Sequence, residues 1–282
     1  MSFQAWALEL LDLEMERPQI YGWFHILWLV ITVVSTVLLC HWGKKASHRQ
    51  VCNIVLAVAV TVAVLEIYKQ VNYTFSVMED GSIRTDYQWY AFPFQFCSTP
   101  MYVGLLAGVI RKGKVHQVLC AFLASYAIFA GVCVMLYPAD VFIQTIGINV
   151  QTMICHGSMI TVGVYLLYSG HVKAEHKTIL KAVPVFATGV ALAAVMNEIA
   201  YASGLLESET FNMFFISPYC DPSLPVYSLV QAVLPFPWSL VVYVLGFTAA
   251  AGIMLALAMG IGKLAGRTRE VSAKRTRMFA MR

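Results

Sequence analysis

Charge is what this sequence has least of. Only 12% of its 282 residues are Asp, Glu, Lys or Arg, about half the roughly 25% of water-soluble domains, while 59% are hydrophobic and the mean hydropathy is +0.70. A cytosolic globule is excluded on those numbers. The 19 basic residues exceed the 15 acidic ones, a formal +4. They sit in short clusters between long apolar runs, not on a continuous polar face, which argues against a nucleic-acid partner. A disulfide framework is missing too, since the seven cysteines are scattered along the chain and only Cys220 falls in a predicted outer loop. There is no Gly-rich phosphate loop and no low-complexity tract. The first residues lack the basic region and small-residue cleavage site of a signal peptide, so the first apolar helix is expected to be retained.

Apolar runs of membrane length are what the sequence does have. A bilayer core needs about 20 apolar residues per helix, and seven stretches qualify: 24–42, 52–71, 91–110, 116–137, 149–169, 180–202 and 236–262. The prediction is an all-α, polytopic seven-helix bundle. The segments between the runs alternate in charge. Residues 43–50 and 111–115 each carry +3, residues 171–181 carry +2, and the tail from Lys263 carries +6. The opposite set is acidic: −3 before the first run, −2 over 72–90, −1 over 138–148 and −3 over 203–235. The positive-inside rule then puts the N-terminus outside and the C-terminus in the cytoplasm, as an odd number of crossings requires. The expected divisions are an extracytoplasmic segment 1–23 with a short surface helix in residues 3–15, a membrane domain 24–262, and a basic tail 263–282. That tail has enough Lys and Arg to bind anionic inner-leaflet lipid, although holding the last helix's end inside is a simpler role.

The inward starts of the second and fourth runs read KKASHRQVC (Lys44–Cys52) and KGKVHQVLC (Lys112–Cys120), and the sixth starts AEHKTILK (Ala174–Lys181). This could be an internal repeat, or the common need for basic residues at inner helix ends.

Ionisable residues inside spans are costly and generally face a bundle interior or a wet cavity. Here they share one level. Glu66 and Lys69 fall in the outer end of the second run. Gln95, Cys97, Ser98 and Thr99 lie just below the outer boundary in the third, Gln151, Thr152, Cys155, His156 and Ser158 at similar depth in the fifth, and Asn197 and Glu198 near the outer end of the sixth. Pro93 and Pro100 flank Cys97 and are expected to interrupt the third helix. Cys40, Cys52, Cys120 and Cys133 read as small packing residues. A Cys97 thiol in apolar surroundings needs a base, and His156 is the one His deep in a span. Thr152, at i−4, can orient its ring. Cys97 with His156 has the minimal parts of nucleophilic acyl chemistry, against the plainer reading of a hydrogen-bonded core imidazole. Thr99, Asn197 or backbone amides freed by Pro100 could stabilise an oxyanion, and Asn197 or Glu198 could orient His156 or bind a headgroup. Glu66 and Lys69, at i, i+3, could simply neutralise each other. No cofactor or metal is expected, because Cys97, Cys155, His156 and Glu198 have no diagnostic ligand spacing. Gly104 and Gly108, and Gly246, Ala250 and Gly252 in the last helix, suggest close helix packing.

The segments PFQFCSTP (Pro93–Pro100), QTMICHGSM (Gln151–Met159), FNMFFISP (Phe211–Pro218) and LPFPWSLVVY (Leu234–Tyr243) resemble the successive signatures of the YwaF-type integral membrane proteins. The resemblance covers about residues 85–245. That family is similar to a vertebrate transmembrane acyltransferase that remodels ether phospholipids. The resemblance implies Cys97 as nucleophile, His156 as its partner, a membrane lipid as substrate and residence in a bacterial cytoplasmic membrane. A transporter or channel lined by Glu66, Lys69 and Glu198, or a membrane protein without chemistry, remains as the alternative. A conventional retinal site is excluded, since the last run, 236–262, contains no Lys. Oligomeric state is not legible.

Overall fold

The computed structural model describes the backbone of residues 2–206, 209–221 and 224–280, and the side chains of these as far as residue 260, apart from residue 225. Among the described residues six helices are long and apolar enough to cross a membrane: Trp23–Lys45, His48–Asn72, Gly113–Leu136, Ile146–Tyr168, His176–Ala202 and Trp238–Gly260. They match six of the seven predicted runs. We label the elements α1 (Phe3–Leu11), α2 (Trp23–Trp42), α3 (His48–Asn72), α4 (Thr99–Val109), α5 (Gly113–Phe122), α6 (Ile128–Leu136), α7 (Ile146–Tyr168), α8 (His176–Ala202), α9 (Pro225–Val233) and α10 (Trp238–Ala280). A π turn, Leu123–Ala127, joins α5 and α6 into one rod.

The third run departs from expectation. Only Thr99–Val109, 11 residues, is helical, with Pro100 in its first turn. At about 1.5 Å per residue this covers roughly 16 Å, short of a bilayer core. The preceding residues run as a 3₁₀ turn, Trp89–Ala91, followed by coil to Ser98. The prolines are the cause: neither Pro93 nor Pro100 can donate to a helical carbonyl, and each disfavours helix at the residue before it. The segment nevertheless runs the length of α3. Gln70, near the end of α3, donates to the Ala91 carbonyl at 2.9 Å, and His48, its first residue, meets the Arg111 carbonyl at 2.6 Å.

Helix ends follow local rules. Ser47 and Gln50 form a reciprocal cap at the start of α3, which satisfies otherwise unpaired amides. Ser2 caps α1 through the Ala5 amide. That helix falls within the expected 3–15, and it is pinned where Tyr68 Oη donates to the Leu11 carbonyl at 2.7 Å. Among the described residues a hairpin also forms, pairing Phe75–Val77 with Ile83–Thr85 and turning at Gly81 with a φ of 78°.

The α5–α6 rod is the centre of the bundle. Of its most apolar window 72% is buried, against 17% for α2 and for the membrane-length part of α10, whose exposed Val33, Val37, Leu245 and Ile253 fit a lipid-facing surface. Around the rod pack α4, α7, α8 and α10. Gly108 makes one close approach possible: a Cβ there would fall 2.5 Å from Leu56 Cβ in α3. The expected packing through Gly246 and Gly252 is not found, since nothing lies within 4 Å of a Cβ built on either. The backbone of α10 continues as helix through the basic tail to Ala280; the lipid contacts expected of the tail's side chains lie outside the described residues.

Candidate functional site

The broken third segment, α7, the end of α3 and the loop 209–221 meet in one half of the bundle. Glu66, only 6% exposed, pairs with Lys69 at 2.8 Å. It also accepts from Gln70 at 2.9 Å and from Gln151 at 3.3 Å, and Thr152 Oγ1 reaches Gln151 Oε1 at 3.4 Å. The predicted convergence of α3 and α7 polar residues is therefore present, and the Glu66–Lys69 pair is internally neutralised.

His156 sits on the same face of α7 and is 4% exposed. Its Nδ1 lies 2.8 Å from the Thr152 carbonyl, a contact only an N–H can make favourably. This fixes the neutral tautomer with the proton on Nδ1 and the lone pair on Nε2. Thr152 does orient the ring, though through its backbone oxygen and not its hydroxyl. Nε2 is buried without a hydrogen-bond partner, and buried polar atoms in that state are uncommon.

Cys97 is half-buried in the coil before α4. Its carbonyl accepts a long contact from the Cys155 thiol at 3.8 Å, so Cys155 is the α7 side chain that touches the third segment at this point. No hydrogen bond joins the Cys97 thiol to His156. Lys69 lies within electrostatic reach of both groups. Below Cys155, an apolar crevice between α3, α4 and α7 is lined by Val55, Ala59, Val62, Pro100, Gly104 and Met159.

The remaining predicted residues do other work. Gln95 donates to the Asn212 carbonyl at 3.0 Å and accepts from the Phe214 amide at 3.0 Å. Asn197 binds both the amide and the carbonyl of Met213, at 2.8 and 3.2 Å. Together they clamp a turn, buried at Met213 and Phe214, in which Phe214 and Phe215 take φ values of 58° and 57°, a conformation costly for residues with a Cβ. Glu198 accepts from Tyr219 Oη at 2.7 Å, and Thr99 Oγ1 donates to the Gln95 carbonyl at 3.2 Å. Neither Asn197 nor Glu198 orients His156. The amides of Ser98, Thr99 and Met101 already donate to the carbonyls of Gln95, Phe96 and Ser98, so they are not free for an oxyanion. The Phe214 carbonyl takes Tyr243 Oη at 2.9 Å. All four sequence signatures are thus joined: Gln95 to 212–214, Cys155 to Cys97, and Tyr243 to Phe214.

At the opposite end of α3 the structure assembles a group that sequence reasoning missed. His48, Cys52, His116 and His171 present one ligand-type atom each, all within 4.8 Å of one another. His171 lies in the loop between α7 and α8, where burial and the facing rings of His116 and His48 lower its pKa to about 4.

The long apolar helices, and polar groups confined to their interior, define an all-α polytopic integral membrane protein. The chain belongs to the TMEM164 family, whose model matches residues 20–256. That match carries a TMEM164-type assignment and does not reach the finer YwaF one. Neither the curated proteins nor the solved structures contain a match to this chain.

Proposed function

We propose that this protein is a membrane-embedded lipid acyl-transfer enzyme, a phospholipid acyltransferase or lipid hydrolase, with Cys97 as nucleophile and His156 as base. It crosses the membrane seven times, the proline-broken segment 91–111 making the third crossing, with the N-terminus outside and the C-terminus cytoplasmic. The membrane is the bacterial cytoplasmic membrane implied by the YwaF resemblance. The charge alternation of the connecting segments supports the orientation, and the reach of 91–111 from one end of α3 to the other supports the crossing.

One observation carries the chemistry: a buried imidazole with Nδ1–H anchored on Thr152 and an unpartnered Nε2 lone pair. In this reading that nitrogen is the proton acceptor. In the proposed step the Cys97 proton passes to His156 Nε2 and the thiolate attacks a lipid ester carbonyl. The ester C–O bond breaks, and the lysolipid oxygen leaves with the proton returned by His156. The acyl thioester then passes its chain to a lysophospholipid hydroxyl or to water by the reverse proton traffic. Catalytic hydrogen bonds are often open without substrate, and the thiol closes on Nε2 when the ester enters. The crevice beneath Cys155 has apolar walls, and its volume of about 30 Å³ must widen before an acyl chain enters it.

The transporter alternative finds less support. Glu66 and Lys69 satisfy each other and Glu198 is tied to Tyr219, so these charges do not line a free path. The test is acyl exchange between a labelled phospholipid and a lysophospholipid by the full chain in mixed micelles. Cys97→Ala and His156→Ala abolish it while the protein stays folded; full activity in Cys97→Ala refutes the covalent mechanism.

A further inference from the structure

The cluster at the far end of α3 is remote from the proposed acyl-transfer chemistry, and nothing in that reading uses it. His116 is 5% exposed and Cys52 1%, too buried for side chains whose only task is to face water. His116 Nδ1 lies 3.1 Å from the Ala107 carbonyl, which places the ring proton there and leaves the Nε2 lone pair facing inward. Around that nitrogen stand His171 Nε2 at 2.9 Å, Cys120 Sγ at 3.5 Å and Cys52 Sγ at 4.0 Å. His48 Nε2 closes the remaining side, 3.7 Å from Cys52 Sγ. One acceptor ringed by several competing donors is a poor hydrogen-bond network. It is the arrangement that a central cation resolves.

We propose that His48, Cys52, His116 and His171 form a structural zinc site that ties the inner ends of α3 and α5 to the α7–α8 loop. Tetrahedral zinc with bonds of about 2.0 Å to nitrogen and 2.3 Å to sulfur separates its ligand atoms by about 3.3 to 3.6 Å. The distances of 2.9, 3.7 and 4.0 Å bracket those values. Three imidazoles and a thiolate match zinc better than a hard cation. Four protein ligands leave no open position, which marks the site as structural and not catalytic. The hydrogen bond from His116 Nδ1 to Ala107 is the outer-shell contact that orients a ligating His. His48 is the mobile member: it releases the Arg111 carbonyl, now 2.6 Å from its Nε2, as it turns to the metal.

The rival occupant is an anion, because Arg111, Lys112 and His171 line the adjoining cleft. Anion binding requires protonated rings pointing outward, whereas these ring nitrogens point at one another, and three imidazolium charges within 4.8 Å would repel strongly.

The full chain is purified in detergent, incubated with zinc and desalted in the presence of a weak chelator, and its metal is measured. About one zinc per chain is expected in the wild type, in Cys97→Ala and in His156→Ala, and none in His116→Ala or His171→Ala. Zinc raises the melting temperature of the stripped wild type and not that of His116→Ala. Cobalt(II) then gives the intense visible bands of a tetrahedral site plus a thiolate charge-transfer band, which Cys52→Ser loses. A wild-type protein that is folded yet retains no zinc overturns the proposal, as does a cobalt spectrum unchanged by Cys52→Ser. Stabilisation by inorganic phosphate but not by zinc overturns it in favour of the anion.

Discussion

Gln95 offers the sharpest test of how the outer half is held together, because its two amide atoms hold two different backbone groups of the 212–214 turn. In Gln95→Ala the Phe214 amide loses its partner, while the Asn212 carbonyl loses one donor and keeps the Phe215 amide at 3.2 Å. Phe214 is fully buried, so water cannot readily replace the lost acceptor. At about 1 to 3 kcal/mol for one unsatisfied buried group, the loss is about 1 to 3 kcal/mol. It falls on a turn that already contains two strained residues, each costing about 1 to 3 kcal/mol to hold. The expected result is selective loosening: amide exchange of residues 211–217 speeds up severalfold or more, while exchange in the α5–α6 rod is unchanged. Gln95→Glu separates the two bonds. A carboxylate still accepts from the Phe214 amide but cannot donate to Asn212, so this variant falls between wild type and Gln95→Ala. Hydrogen exchange of the detergent-solubilised protein, read by mass spectrometry, measures both. If the turn exchanges equally slowly in Gln95→Ala and the wild type, the clamp is not what holds it and the argument fails.

Four further outcomes are expected. Glu66→Ala removes the partner of Lys69 and an acceptor for Gln151; breaking a buried pair costs about 3 to 5 kcal/mol, and the residual exposure of Lys69 places the loss near the lower figure, visible as a drop in melting temperature. Gly108→Ala forces a Cβ to within 2.9 Å of the α3 backbone at Leu56 and costs about 1 to 3 kcal/mol, whereas Gly252→Ala meets open space and leaves the melting temperature within error. Cys155→Ala keeps acyl exchange within a fewfold of wild type while Cys97→Ala loses it; the reverse order would transfer the nucleophile to α7. In intact cells a membrane-impermeant maleimide labels Ser82→Cys in the hairpin and spares Lys112→Cys before α5, and labelling of both from outside would refute the seven-crossing topology.

The part of the fold that was legible is the part set by the bilayer. Twenty apolar residues in a row can satisfy their backbone in lipid only as a helix or a closed barrel, so α2, α3, the α5–α6 rod, α7, α8 and α10 follow from hydropathy alone. The third run misled because hydropathy does not register backbone donors. Pro93 and Pro100 were visible as breakers, but the extent of coil also depends on Tyr102 Oη holding the Pro93 carbonyl at 2.7 Å, a tertiary contact. Depth placed Glu66, Lys69, Gln151, Thr152 and His156 at one level; the first four are linked by side-chain contacts, and His156 meets them only through the Thr152 carbonyl on its own helix. Depth could not separate ring-facing groups from loop-clamping ones, because Gln95 and Asn197 have the same chemistry as a catalytic amide and differ only in partner. The inner cluster was hidden for a different reason. Its histidines lie at helix ends, where a polar residue ordinarily needs no explanation, and its cysteines look like packing. The signal was nonetheless present in the paired segments HRQVC and HQVLC, His48–Cys52 and His116–Cys120. Each puts an imidazole and a thiol one helical turn apart on one face. A need for basic residues accounts for Lys and Arg recurring at inner ends; it does not account for the same His-to-Cys spacing recurring there. Two such turns facing each other across α3 and α5, with His171 arriving from a third element, convert an ambiguous repeat into a specific chemical expectation.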